Sequence, residues 1–448
     1  MIRGMLCAFA LAAHAAFGAP NLVVMIADDM AWNDAGIYGH PHIRTPNIDK
    51  LAGQGMRFDN AFLTTSSCSP SRCSIITGKY PHATGAGALH DPLPASQTTV
   101  AQLLHEGGYY TAAAGKWHMG DAAKTGFDKI YGGGPSGCEE WVKALRERPK
   151  DQPGFFWLAS FDPHRPYKKD TIPEPHTVAD AVVPPFLPDT AATRNDLAAY
   201  YDEITRLDEF VGAVLEELDA QGIADDTLVI FLSDNGRPFP RCKTTLYDSG
   251  IKTPLLARYP GHAAAGTTTS ALVSAVDITP TLLAAAGIPA PESMSGHSFL
   301  PLLSEPGGTI RDAVYAEHNW HDYQARQRSV RTQQYLYIRD DYPELTLSPP
   351  ADAVRSETYE AMIAAHDAGT LAPEHAACFV APRPAEELYD VDADPYSMHN
   401  LAADPAHAET LAALRARLDA WQQETEDTPP DSPRPDGFDR RTGEKLKE

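Results

Sequence analysis

Short apolar runs alternate with helical periods through the first two thirds of the chain, and the pattern changes near residue 305. Residues 21–27 (NLVVMIA) are uninterrupted, β-rich and followed by two acids, as expected of a parallel strand buried on both faces. Residues 99–106 have the period of a helix, and residues 109–114 predict the strand after it. Residues 154–161 (GFFWLASF) predict another strand, residues 193–220 a long helix, and residues 226–232 (DTLVIFL) a further buried strand. This order predicts an α/β fold with a large mixed, mostly parallel central sheet flanked by helices. Beyond 305, residues 335–339 (YLYIR) alternate as an antiparallel strand does, residues 387–392 predict a strand and turn, and residues 407–423 a helix. These elements predict a smaller C-terminal α+β subdomain with an antiparallel sheet.

Polar, ligand-capable residues come directly after several of these strands: Asp28 and Asp29, Lys116 and His118, Asp162 and His164, Asp234 and Asn235. In open α/β sheets the ligand crevice lies outside the carboxyl ends of the strands, so segments far apart in sequence would converge there. One such acid is ordinarily a turn or capping residue. Four clusters in the same position outweigh that reading. Asp28, Asp29, Asp234 and Asn235 offer only oxygen ligands, the set that hard cations such as Ca²⁺ or Mg²⁺ select.

Composition narrows the partners. The 448 residues are 43% hydrophobic and 22% charged, as in a packed globular protein of roughly two or three domains. With 37 basic against 60 acidic residues the formal charge is −23. That excludes the basic footprint of nucleic-acid binding and disfavours an anionic membrane surface. The start of the chain reads as an export signal: Arg3, a short apolar Ala-rich run over residues 6–17, then small residues before Pro20. Cleavage near Ala15 or Ala19 both fit. No other run reaches the 18 or so apolar residues of a spanning helix. The expected organisation is a signal over 1–19, a catalytic domain over 20–305, the subdomain over 306–425 and a loosely ordered tail over 426–448. Of six cysteines, five remain once Cys7 leaves with the signal, so at least one is unpaired. The spacing does not say which cysteines pair.

Cys68-Ser69-Pro70-Ser71-Arg72, continued by Ser74-Ile75-Ile76-Thr77-Gly78, resembles the signature of the Cys-type sulfatases. Asp28-Asp29 upstream, Thr45-Pro46-Asn47-Ile48-Asp49 between, and Gly115-Lys116-Trp117-His118 downstream strengthen the likeness. The resemblance implies an alkaline-phosphatase-like sandwich and a cysteine oxidised by a separate formylglycine-generating enzyme. The aldehyde hydrate is then the nucleophile, and its second hydroxyl expels sulfate in a later step. By the same resemblance, Asp28, Asp29, Asp234, Asn235 and modified Cys68 bind Ca²⁺, Arg72 holds the hydrate and Lys116 touches sulfate. His118 is the implied base, His164 the acid at the leaving group, and Lys243 a further sulfate contact. The chemistry is coherent: a sulfate monoester is already an anion, so a cation, an arginine fork and lysines must offset its charge. A helix start at Cys68 would add backbone N–H groups.

The sequence resembles the sulfamidases in particular. Asp162-Pro163-His164-Arg165, residues 183–189 (VPPFLPD), residues 228–240 (LVIFLSDNGRPFP) and Glu387-Leu388-Tyr389-Asp390 carry that likeness. Lys243 stands where sulfamidases have Arg, and Tyr247-Asp248-Ser249-Gly250-Ile251-Lys252 also departs from their pattern, which leaves N–S and O–S cleavage both open. Substrate-side candidates are His90, Arg165, Arg237, His318, His321 and Arg328. A sulfated carbohydrate is the expected substrate, with a periplasmic or secreted location. The rival readings are a phosphate or phosphonate monoester hydrolase on the same fold and a glycan-binding protein whose Cys68 stays a thiol.

Overall fold

A computed structural model describes residues 18–447, so the expected signal lies almost wholly outside the described residues. Eight strands form the main sheet: β1 (Asn21–Ala27), β2 (Met56–Phe62), β3 (Tyr110–Gly115), β4 (Lys129–Tyr131), β5 (Gly154–Ala159), β6 (Thr227–Ser233), β7 (Leu255–Arg258) and β8 (Thr267–Ser274). Their order is β4-β3-β5-β1-β6-β7-β2-β8. All neighbours run parallel except β7, which is antiparallel to both β6 and β2. The sheet is therefore mixed and mostly parallel, as the alternation of runs predicts.

Every residue of β1, β5 and β6 is buried. Alternate side chains serve opposite cores: Val23 and Met25 pack on the face covered by the long helix Ala191–Ala220, while Leu22, Val24 and Ile26 pack on the other. That second face carries helices Cys68–Thr77, Val100–Glu106 and Ile278–Ala285. Thr99 starts the middle one with a capping box to Gln102, which is why its first residue is so legible.

Four antiparallel strands form a second sheet in the order β12-β11-β10-β9: β9 (Val314–His318), β10 (Gln327–Arg331), β11 (Tyr335–Asp340) and β12 (Glu386–Asp390). Helix Ala408–Glu424 lies with it, Trp421 stacking on Tyr315 at 5.0 Å. The tail differs from the expectation of loose order. Asp427 is buried and takes Arg328 Nε and Nη2 at 2.6 and 2.8 Å, and Trp320 Nε1 donates to the Pro435 carbonyl at 2.7 Å. Asp427, Arg434 and Arg441 have charged partners elsewhere in the fold, which sequence composition does not reveal. The five cysteines among the described residues are all buried and unpaired. Among the described residues no helix is long and apolar enough to cross a membrane.

Candidate active site

The register of β1 on β6 sets Ala27 beside Ser233, so the residues that follow each strand emerge as neighbours. Asp28, Asp29, Asp234 and Asn235 are all buried there. Asp29 N donates to Asp234 Oδ1 at 3.2 Å. Cys68 is the first residue of helix Cys68–Thr77, and its Sγ lies 3.9 Å from Asp29 Oδ1. Ligand atoms of Asp28, Asp29, Cys68 and Asp234 all fall within 4.8 Å of one another. Three segments spread over two hundred residues of chain meet at one point.

Cations surround the carboxylates. Arg72 Nη2 is 2.7 Å from Asp234 Oδ2 and 3.8 Å from Asp28 Oδ1. Lys116 Nζ lies 2.5 Å from Asp28 and Lys243 Nζ 2.8 Å from Asp29. Burial alone would raise the Asp28 carboxyl, but Lys116, His164, Arg72 and Lys243 outweigh it and hold it far below the ordinary range. Asp234 goes the other way: burial, helped by repulsion from Asp28, overcomes Arg72 and lifts it to about 6. Burial likewise pushes the Cys68 thiol up, so an unmodified Cys68 would be protonated and a poor nucleophile.

The residues present fit a hard divalent cation. Asp28 Oδ1 and Asn235 Oδ1 are buried without a hydrogen-bond partner among the described residues, in a donor set of carboxylates and one amide. The backbone is strained around them: Asp29, His90 and His118 have φ of 78°, 68° and 55°. Left-handed non-glycine residues concentrate at functional sites, where the surrounding fold over-determines them. Gly115 is needed for a related reason. Its φ is +92°, and a Cβ there would stand 1.9 Å from the Ala159 carbonyl oxygen, so only glycine lets β3 deliver Lys116.

His118 Nε2 pairs with His90 Nδ1 at 2.7 Å, and His90 N donates to Ser69 Oγ at 2.8 Å, tying this loop to the Cys68 helix. Burial, then Lys116 and Arg72, lower His118 to about 2, which keeps its imidazole neutral. His164 Nδ1 bonds the Arg165 carbonyl, while Nε2 faces Asp29 Oδ2 at 3.8 Å and Asp352 Oδ2 at 3.6 Å. Two cavities share His164: one of about 560 Å³ lined by Asp28, His90, Lys116 and His118, and one of about 1200 Å³ lined by Lys168, Lys169, Asp352 and Arg355.

The substrate-side candidates divide. His90 and Arg165 line these cavities, but Arg165 is held by Asp196 at 2.6 and 2.7 Å and stacks over Tyr167 and Phe239. Arg237 is committed to Asp34 at 2.5 Å beside a different pocket. Arg328 is taken up by Asp427. His318 and His321 are buried around a space of only about 20 Å³, His321 bonding Ser67 Oγ at 2.7 Å. The structure thus leaves Arg237, Arg328, His318 and His321 outside the cleft, because each is enclosed or paired. Asp352 was not foreseen; two prolines and a short helix start gave no sign of it.

A buried oxygen cluster at the carboxyl ends of a mostly parallel sheet, beside a helix start and ringed by basic side chains, defines a hydrolase of small anionic esters. The chain belongs to the sulfatase family of sulfuric ester hydrolases: the family's sulfatase domain matches residues 20–288. A second match, N-sulphoglucosamine sulphohydrolase, C-terminal, covers residues 241–344. Human N-sulphoglucosamine sulphohydrolase is 32% identical over 91% of this chain and 90% of its own length. Among solved structures, one in complex with its substrate D-glucosamine-2-N,6-O-disulfate aligns with a TM-score of 0.69 at 22% identity, covering 92% of this chain and 99% of that one. A phosphonate monoester hydrolase of Agrobacterium radiobacter aligns with the same TM-score at 19% identity, over 91% and 96% of the two chains. Likeness at these two identities is one of fold.

Proposed function

We propose that this protein is an exported, calcium-dependent enzyme that removes sulfate, as O-ester or N-sulfamate, from a sulfated saccharide of the glycosaminoglycan kind, with formylglycine at position 68. The observation that carries the reading is the position of Cys68: at a helix start, within 4.8 Å of three carboxylates, with Arg72, Lys116 and Lys243 paired to those carboxylates. The saccharide is supported by the human relative at 32% identity and by a cleft of about 1200 Å³ that could house a sugar.

Asp28, Asp29, Asp234 and Asn235 would hold the cation, which supplies positive charge opposite the sulfate oxygens. An aldehyde hydrate at position 68 supplies the hydroxyl nucleophile. Lys116 and Lys243, now paired with Asp28 and Asp29, would bind the substrate anion once a cation offset those carboxylates, and Arg72 would hold position 68 in line. His118 takes the proton of the attacking hydroxyl; its Nδ1 has no partner among the described residues. His164 stands where the two cavities join and delivers a proton from Nε2 to the departing oxygen or nitrogen. Maturation requires a formylglycine-generating enzyme as partner.

The test combines peptide mapping of residue 68 with turnover of aryl sulfate, N-sulfoglucosamine and aryl phosphate. Expected are an aldehyde at position 68, turnover of the sulfated compounds far above the phosphate, and at least a 1000-fold loss in Cys68→Ala with its unfolding midpoint retained. An active alanine variant, or a wild type fully active with an intact thiol, refutes the nucleophile; faster phosphate turnover would favour the phosphohydrolase.

A further inference from the structure

Asp352 lines the larger cavity beside His164, which both cavities share, and none of the proposed steps uses it. It comes from the short helix Ala351–Val354, outside the main sheet and its flanking helices. Oδ1 turns back to accept from Ala353 N at 2.8 Å. Oδ2 is buried, faces His164 Nε2 at 3.6 Å and has no hydrogen-bond partner among the described residues. The side chain as a whole is 23% exposed and lines the larger cleft.

Two simpler roles fit poorly. A separation of 3.6 Å exceeds hydrogen-bond range, so Asp352 does not fix His164 as a carboxylate anchor would. Nor can it hold sulfate itself, since a carboxylate repels an anion; in the same cleft that work would fall to Arg165, Lys168, Lys169 and Arg355, and beyond His164 to Lys116. What remains is an unmatched acceptor on the leaving-group side. A buried acceptor without a donor is costly, and more so when charged, unless a ligand supplies the donor. Lys243, His164 and Arg165 together outweigh burial and keep this carboxyl ionised.

We infer that Asp352 is a specificity-determining residue whose carboxylate accepts a hydrogen bond from a hydroxyl or amino group of the sugar that carries the scissile sulfate. The inference rests on the saccharide-sulfatase reading above. The same negative charge repels a second sulfate at that position of the ring, so Asp352 selects a donor and rejects an anion with one group.

The experiment compares wild type, Asp352→Ala and Asp352→Asn on a monosulfated saccharide and on an aryl sulfate that has no sugar. It also measures the desulfated saccharide as a competitive inhibitor of aryl sulfate turnover. Expected is a fall of at least tenfold in the ratio of saccharide to aryl sulfate kcat/KM, with inhibition by the desulfated sugar weakened at least as much. The asparagine variant, matched in size, carries the test if alanine fails to fold, and lies between the two because it keeps a neutral acceptor. Equal losses on both substrates with unchanged sugar inhibition overturn the inference and assign Asp352 to His164 instead. No loss on either substrate overturns it also. A wild type that turns over neither compound overturns the functional reading itself, and this inference falls with it.

Discussion

Asp28 and Asp234 share one buried cluster, yet their protons are held oppositely. Asp28 faces both Lys116 and Arg72, whereas Asp234 has only Arg72 at close range and suffers the repulsion of Asp28. Its carboxyl, raised from 3.8 to about 6, favours the metal-free fold at low pH, and that contribution is lost as pH rises through about 6. On the proposed ligand set calcium has to displace this proton, so calcium affinity of chelated protein should fall by up to about tenfold per pH unit below 6. Calorimetric titration at pH 5 and pH 7 checks this, and equal affinities would remove Asp234 from the ligand set. Residue type alone pointed to the residues that the structure gathers here, Asp28, Asp29, Cys68, His118, His164 and Asp234, because each followed a strand or sat in a dense motif. Residue type could not say which arginines were free. Arg328 looked available until Asp427, 99 positions away, was found against it.

Helix Cys68–Thr77 shows how an element serves the site. Ser67 precedes it in extended conformation but makes no side-chain cap; its hydroxyl bonds His321 instead. Burial, then Lys243, pushes His321 well below its ordinary value, so this is a bond between neutral groups. Ser67→Ala should therefore cost about 1–3 kcal/mol through a stranded buried imidazole rather than through a lost cap. Urea unfolding measures it; Ser67→Thr, which keeps the hydroxyl, should recover most of the loss, and no recovery would point to a packing effect. Elements buried on both faces, β1, β5 and β6, were legible as apolar runs because nothing polar interrupts them. By contrast β2 (MRFDNAF) and β4 (KIY) carry partly exposed polar positions, and the antiparallel run of β7 leaves no trace in a four-residue strand. Their pairing depends on neighbours the local sequence does not contain.

At the scale of the whole molecule the C-terminal tail is more tied than composition implied. Asp427 joins the tail to β10 through Arg328, with Gln422 of the last helix donating at 2.8 Å. Burial would raise its carboxyl, but the bonds from Arg328 prevail and lower it from 3.8 to about 2. Asp427→Asn should thus destabilise the protein by about 3–5 kcal/mol near neutrality, the scale for breaking a buried ion pair. The wild-type advantage is complete above the ordinary carboxylate value and shrinks as pH falls toward 2, which denaturation at pH 7 and pH 3 compares. A constant difference would assign the effect to shape rather than charge. Net charge, −23 overall, gave no hint of the cationic ring at the centre. Only folding gathers Arg72, Lys116 and Lys243 into one place.

Cys68 is 2% exposed, walled in by its own helix and by the ends of β1 and β6. A small anion can approach it from the cleft, but a second protein could not close around that side chain in the folded state. On the proposed chemistry this imposes a schedule: the oxidation has to happen while the polypeptide around position 68 is still open. A molecule that closes too early is trapped as a well-formed but inert thiol, so the yield of working enzyme would be set by a race between folding and its maturation partner.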